Sequence, residues 1–128
     1  LMGRSVLVAL GMTAAIIMAS GSAFAAGDAK KGAKVFKKCK ACHAVKAGKH
    51  KVGPSLSGVV GRKAGTAAGF KKYKGLKKAD WSWDEKTLDA WLSNPKKFAK
   101  SRSRKTSMVF KLKKAKDRAN VIAYLKSI

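Results

Sequence analysis

Two thiols and an imidazole stand together in Cys39-Lys40-Ala41-Cys42-His43. Side chains three positions apart share one side of a helical turn. Thiols so placed add to the two vinyl groups along one side of a porphyrin, and the next residue presents its imidazole below the iron. C-x-x-C-H is the attachment signature of c-type haem, here one group per chain held through Cys39 and Cys42, with His43 as an iron ligand. Other uses of the same residues compete. A zinc site needs more Cys or His, and beyond the motif only His50 remains. A redox pair of the thioredoxin kind needs a βαβ pattern, which the sequence lacks. An ordinary C-x-x-C disulfide or a chance match is the plainest alternative.

Iron bound by His43 has a second axial position. Met2, Met12 and Met18 lie in the first 25 residues, so Met108 is the only methionine of the remainder. A lone methionine is commonly core filler, but Lys105-Thr106-Ser107 before it is polar. His43 with Met108 gives a His/Met iron, whose thioether raises the potential and whose filled coordination disfavours oxygen and peroxide. His50 and a loop lysine are the rival ligands, and a lysine must first lose its proton.

These groups need elements to hold them. The chain has 128 residues, 46% of them apolar, which suits one small domain. Residues 1–25 differ from the rest. They carry one charge, Arg4, then an apolar run from Val6 to Ala19, then Ala23-Phe24-Ala25. That is the pattern of a secretory signal cleaved after Ala25. A retained anchor is the alternative, although the apolar run is short for a span of about 20 residues. Leu1 stands where an initiator Met is usual, and Met2 is an alternative start. The domain is then residues 26–128, exported to the periplasm.

Within it, Asp28 is a candidate N-cap for a helix running to about Cys42, with Ala29, Ala33 and Phe36 on one face. Gly32 inside that helix points to a close approach by another element. Residues 44–76, rich in Gly and Lys, lack strand alternation and are expected to be packed loop. Ser82-Trp83-Asp84-Glu85 has capping-box form and opens a helix carrying Leu88, Trp91 and Leu92, closed by Asn94-Pro95. Residues 96–107 are polar and basic, hence loop. A last helix spans about Lys116 to Lys126, with Ala119, Ile122 and Leu125 in one stripe. Three short helices are too few to close a core alone, and a bound group is expected to complete it.

Read as a whole, residues 27–128 resemble the class I cytochrome c family, in particular the bacterial c2 and c-550 types and their mitochondrial relatives. The resemblance rests on Gly27-Asp28 through Phe36, the haem motif, His50-Lys51-Val52-Gly53-Pro54-Ser55-Leu56, Gly61-Arg62-Lys63-Ala64-Gly65, Trp83 in Trp-x-Glu-x-Thr-Leu, and Ala123-Tyr124-Leu125. It implies an all-α cytochrome c fold, with N- and C-terminal helices crossing and loops wrapped around a covalent haem. It implies that the Pro54 carbonyl orients His43, that His50 links loops, and that Arg62, Tyr73, Trp83 and Thr106 partner a haem propionate. A buried propionate is costly unless so paired. The chain departs from the pattern in four places, one being Ser107 where many relatives have Lys before the ligand Met. Phe70 and Tyr73 have one residue more between them than usual, and the Pro95–Met108 loop is longer than in mitochondrial members. Trp91 stands where a tyrosine near the ligand sulfur is common, and an indole N–H donates but cannot accept.

The charge bears on partners. The formal net charge is +24, and the stretch between Pro95 and Met108 holds six basic residues and no acid. The resemblance places such lysines around an exposed haem edge, where complementary charge steers encounter with acidic surfaces. It implies a monomeric one-electron carrier, not an enzyme, serving respiratory or photosynthetic chains. The candidate partners are a bc1 complex, a cytochrome oxidase, a reaction centre or a periplasmic dehydrogenase. Weak contact with an anionic membrane surface is expected and specific nucleic-acid binding is not. A haem enzyme with a labile sixth ligand and a basic binding module with incidental haem are the alternatives.

Overall fold

The computed structural model describes residues 26–128, together with Gly11. The signal sequence expected over residues 1–25 lies outside the described residues. The described chain is helical: α1 (Ala29–Val35), α2 (Glu85–Ser93), α3 (Pro95–Ser101) and α4 (Ala115–Lys126), with a 3₁₀ turn at Phe36–Lys38 after α1. The only pairing of the β kind among the described residues is an isolated antiparallel bridge between Lys63 and Ser82.

Asp28 caps α1, its carboxylate accepting the Lys31 N–H at 3.0 Å. The helix crosses α4 at very short range. A Cβ on Gly32 would stand 1.9 Å from the Asn120 carbonyl oxygen, and one on Gly27 1.9 Å from that of Ala119. Two glycines therefore let the backbones touch. Asn120 closes the crossing by accepting the Asp28 N–H at 2.9 Å. Phe36, 1% exposed, packs its ring 5.2 Å from that of Tyr124.

That burial also corrects the expected end of the first helix. α1 stops at Val35 rather than near Cys42. With Phe36 drawn into the crossing, the backbone tightens and the Cys39 N–H bonds back to the Phe36 carbonyl. The cysteine motif consequently rides on turns, not on an α-helix.

The second helix begins slightly later than Ser82-x-x-Glu85 suggested. Asp84 is the cap, and Thr87 completes the reciprocal box. Asn94-Pro95 ends α2, but it also starts α3 inside the stretch expected to be loop. The Asn94 side chain accepts the Lys97 N–H at 3.1 Å, and Pro95 occupies the first turn, where its missing N–H costs nothing. Pro95, Phe98 and Ala99 anchor this helix in the core. Its three lysines and Ser101 are exposed, and they masked the pattern.

The C-terminal end of α3 closes in a Schellman arrangement. The Arg104 N–H reaches the Ala99 carbonyl at 2.8 Å and the Ser103 N–H that of Lys100 at 3.0 Å. Ser103 takes the left-handed conformation this requires, φ 57°. Farther on, Arg118 of α4 pairs with Asp89 of α2 at 2.7 Å and donates to the carbonyls of Leu112 and Lys113. The Leu112 N–H in turn bonds to Leu92. The segment between α3 and α4 is thus tied down at both ends.

Candidate functional site

Between the crossed helices and the loops lies a cavity of about 320 Å³. Its lining brings together Cys39, Cys42, His43 and Pro54 with Met108 and Thr106, and adds Arg62, Tyr73 and Trp83. All nine residues singled out in the sequence line one cavity, although they span 70 positions of chain. Apolar side chains, among them Leu88, Val121 and Leu125, form much of the rest.

The two thiols are separate, Cys39 half-buried and Cys42 exposed. Burial pushes the Cys39 thiol up, with the neighbouring Cys42 adding to the effect. His43 Nδ1 donates to the Pro54 carbonyl at 2.7 Å. A carbonyl only accepts, so Nδ1 carries the proton and the Nε2 lone pair is free to ligate a metal. Burial lowers the His43 pKa, and this outweighs the opposing bond to Pro54. Gly53 makes room for the ring, since a Cβ there would lie 2.2 Å from His43 Cε1.

Met108 is held by two bonds. Its N–H donates to Thr106 Oγ1 at 3.1 Å, and its sulfur accepts the Trp91 Nε1–H at 3.2 Å. A thioether retains a second lone pair for a metal.

Arg62 donates through Nη2 to the Ser55 carbonyl at 3.1 Å and through Nη1 to that of Ser57 at 3.3 Å. Its Nε is buried without a partner. Burial pulls its pKa down, partly offset by Tyr73. Tyr73 accepts the Ala67 N–H at 3.0 Å, which leaves its own O–H proton to give. An unsatisfied buried guanidinium N–H beside a free phenol suits a carboxylate.

His50 is spent elsewhere. It accepts the Ser55 N–H at Nδ1 and donates from Nε2 to the Ala68 carbonyl, joining two loops. Among the described residues no three of His, Cys, Asp and Glu gather as a metal site.

Sequence reasoning missed Gly53, Ser55 and Arg104. Gly53 stood in a matched motif, but its steric role shows only in space. Ser55 stood in the same matched motif, but the bond from its buried hydroxyl to the Lys46 carbonyl shows only in space.

The residues present fit a flat, tethered macrocycle. Two thiols and an imidazole stand in one part of the lining and a thioether in another. The orphaned Arg62 Nε is the test that a purely apolar ligand would not satisfy.

Comparison with known proteins agrees. Residues 29–128 match the family described as "Cytochrome c". Cytochrome c2 of Rhodomicrobium vannielii is 46% identical over 120 residues, covering 92% of this chain and 93% of that protein. Cytochrome c of Chlamydomonas reinhardtii is 51% identical over 104 residues, covering 79% and 89%. Among solved structures, cytochrome cH from Methylobacterium extorquens aligns with a TM-score of 0.70 at 44% identity, covering 80% of this chain and all of that one.

Proposed function

The chain belongs to the cytochrome c family of haem electron carriers, and from that premise we propose a one-electron shuttle, not an enzyme, working in the periplasm. Bound haem c supplies an iron that cycles between ferric and ferrous states. Cys39 and Cys42 hold it as thioethers. His43 ligates through Nε2, its tautomer set by Pro54. Met108 would supply a thioether ligand to the same iron, filling a position that a substrate would otherwise need. Arg62 and Tyr73 neutralise and hydrogen-bond a propionate, with Trp83 and Thr106 beside them.

The observation that carries this reading is the single cavity that gathers Cys39, Cys42, His43, Met108 and the unpartnered Arg62 Nε. Its mouth supports the choice of partner. Val52 and Val109 line it and are 70% and 65% exposed. Lys38, Lys72 and Lys74 line it too. A small apolar spot rimmed by lysines suits brief docking on an acidic redox surface, such as a bc1 complex, an oxidase, a reaction centre or a periplasmic dehydrogenase.

The test is the intact mass and the reduced-minus-oxidised spectrum of protein exported from a host that matures c-type cytochromes. One haem added per chain, loss of residues 1–25 and a far-red methionine–iron band are expected. A colourless product at the polypeptide mass sinks the proposal, and rapid binding of carbon monoxide favours a haem enzyme instead.

A further inference from the structure

The segment that carries Met108 leaves α3 at Ser103 and crosses the loop around residues 75–78. Two contacts join them. The half-buried Arg104 guanidinium donates to two main-chain carbonyls, Nη1 to Lys77 at 2.8 Å and Nη2 to Lys78 at 2.9 Å. One residue on, the Lys105 carbonyl sits where a Cβ on Gly75 would lie 2.2 Å away. Both sides of this contact are basic. The 74–78 stretch holds Lys74, Lys77 and Lys78, and the chain leaving α3 holds Arg102, Arg104 and Lys105. Among the described residues no carboxylate pairs with Arg104, the two ion pairs being Arg118–Asp89 and Lys126–Glu85. Like charges across such a contact repel. The two charge-assisted bonds to carbonyls are what oppose them.

Arg104 is well placed for that task. Its own N–H is fixed on Ala99 in the Schellman turn, and α3 is rooted in the core by Phe98 and Ala99. The far end of the segment is held differently, by Arg118 with its Asp89 counterion. We infer that Arg104 is a positioning residue that latches the Met108 segment onto the 75–78 loop, so that Met108 leaves its place by release at the Arg104 end while the Arg118 end stays shut. The inference rests on Met108 being the iron ligand.

The test uses the holoprotein and neutral imidazole, which displaces methionine from ferric haem. Arg104→Lys keeps the charge and loses the two-pronged bond. It is expected to speed displacement on the order of tenfold, whereas Lys100→Gln, which lowers charge without touching the latch, does not. Gly75→Ala, which pushes on Lys105, is expected to act like Arg104→Lys. Amide exchange gives a readout independent of the iron. In Arg104→Lys the Ala79 and Met108 amides exchange faster, and the Leu112 amide is unchanged. Parental displacement and exchange in both Arg104→Lys and Gly75→Ala overturn the latch. A parent protein with no methionine–iron band overturns the ligand assignment instead, and the amides still decide whether Arg104 is a latch.

Discussion

Trp91 gives its indole proton to the Met108 sulfur across 3.2 Å. The donor is itself rigid, because Trp91 is 7% exposed and its ring stands edge-on to Trp83 at 5.1 Å. With Met108 as the proposed iron ligand, a hydrogen bond to the sulfur would draw electron density from it and make it a poorer donor to ferric iron. On that assignment the bond favours the ferrous state. A tyrosine hydroxyl can accept as well as donate, whereas this indole can only donate, so here the bond points one way.

Trp91→Phe is accordingly expected to lower the reduction potential. A bond contributing about 1 kcal/mol to the difference between oxidation states corresponds to ~40 mV for one electron. Potentiometric titration reads it directly. A potential unchanged in the variant, with the methionine–iron band intact, removes the role assigned to Trp91.

The His43 ring leaves no room at Gly53, where a Cβ would meet Cε1 at 2.2 Å and Nδ1 at 2.7 Å. Gly53→Ala must displace the ring, its bond to Pro54, or both. Overpacking of this kind costs about 1–3 kcal/mol. Denaturant midpoints of the holoprotein should fall, and the imidazole-ligand signals in paramagnetic proton spectra should shift. Parental values for both would mean that the loop yields freely.

Two caps contribute to the acid limb of stability. The Lys31 N–H bonded to Asp28 and the Thr87 N–H bonded to Asp84 hold both carboxyls below the ordinary carboxylate range. A depressed folded-state pKa contributes stability that is complete above the unfolded value of ~4 and lost as pH falls through the folded one. Asp28→Asn and Asp84→Asn keep a capping oxygen but do not titrate. Unfolding midpoints followed from neutral pH to about pH 2 should therefore decline less steeply in the double variant below pH ~4. Equal slopes would show that other groups set the limb.

What could be seen in advance, and what could not, follows from how far each residue's partners lie along the chain. Asp28, Gly32 and Phe36 announced the first helix and its crossing because cap, close approach and apolar face are local signals. The nine cavity residues were found from the haem motif, by elimination of methionines, and by likeness to a family. Their common location needed the fold. α3 escaped notice because Phe98 and Ala99 are its only apolar side chains after Pro95, set among lysines. The start of α2 moved from Ser82 to Asp84 because Thr87, and not Glu85, answers the cap. Arg104 was hidden most completely. It looked like one more charge in a basic run, and its partners are main-chain oxygens 26 and 27 residues away.

The pairing of α1 with α4 has a consequence for biosynthesis. α1 and the cysteine motif leave the ribosome before Asn120 and Tyr124, the surfaces α1 packs on. Until α4 is made, the nascent polypeptide lacks the surface against which Phe36 is buried. Cys39 and Cys42 are therefore made, and held on an open chain, before the helix that closes the crossing exists.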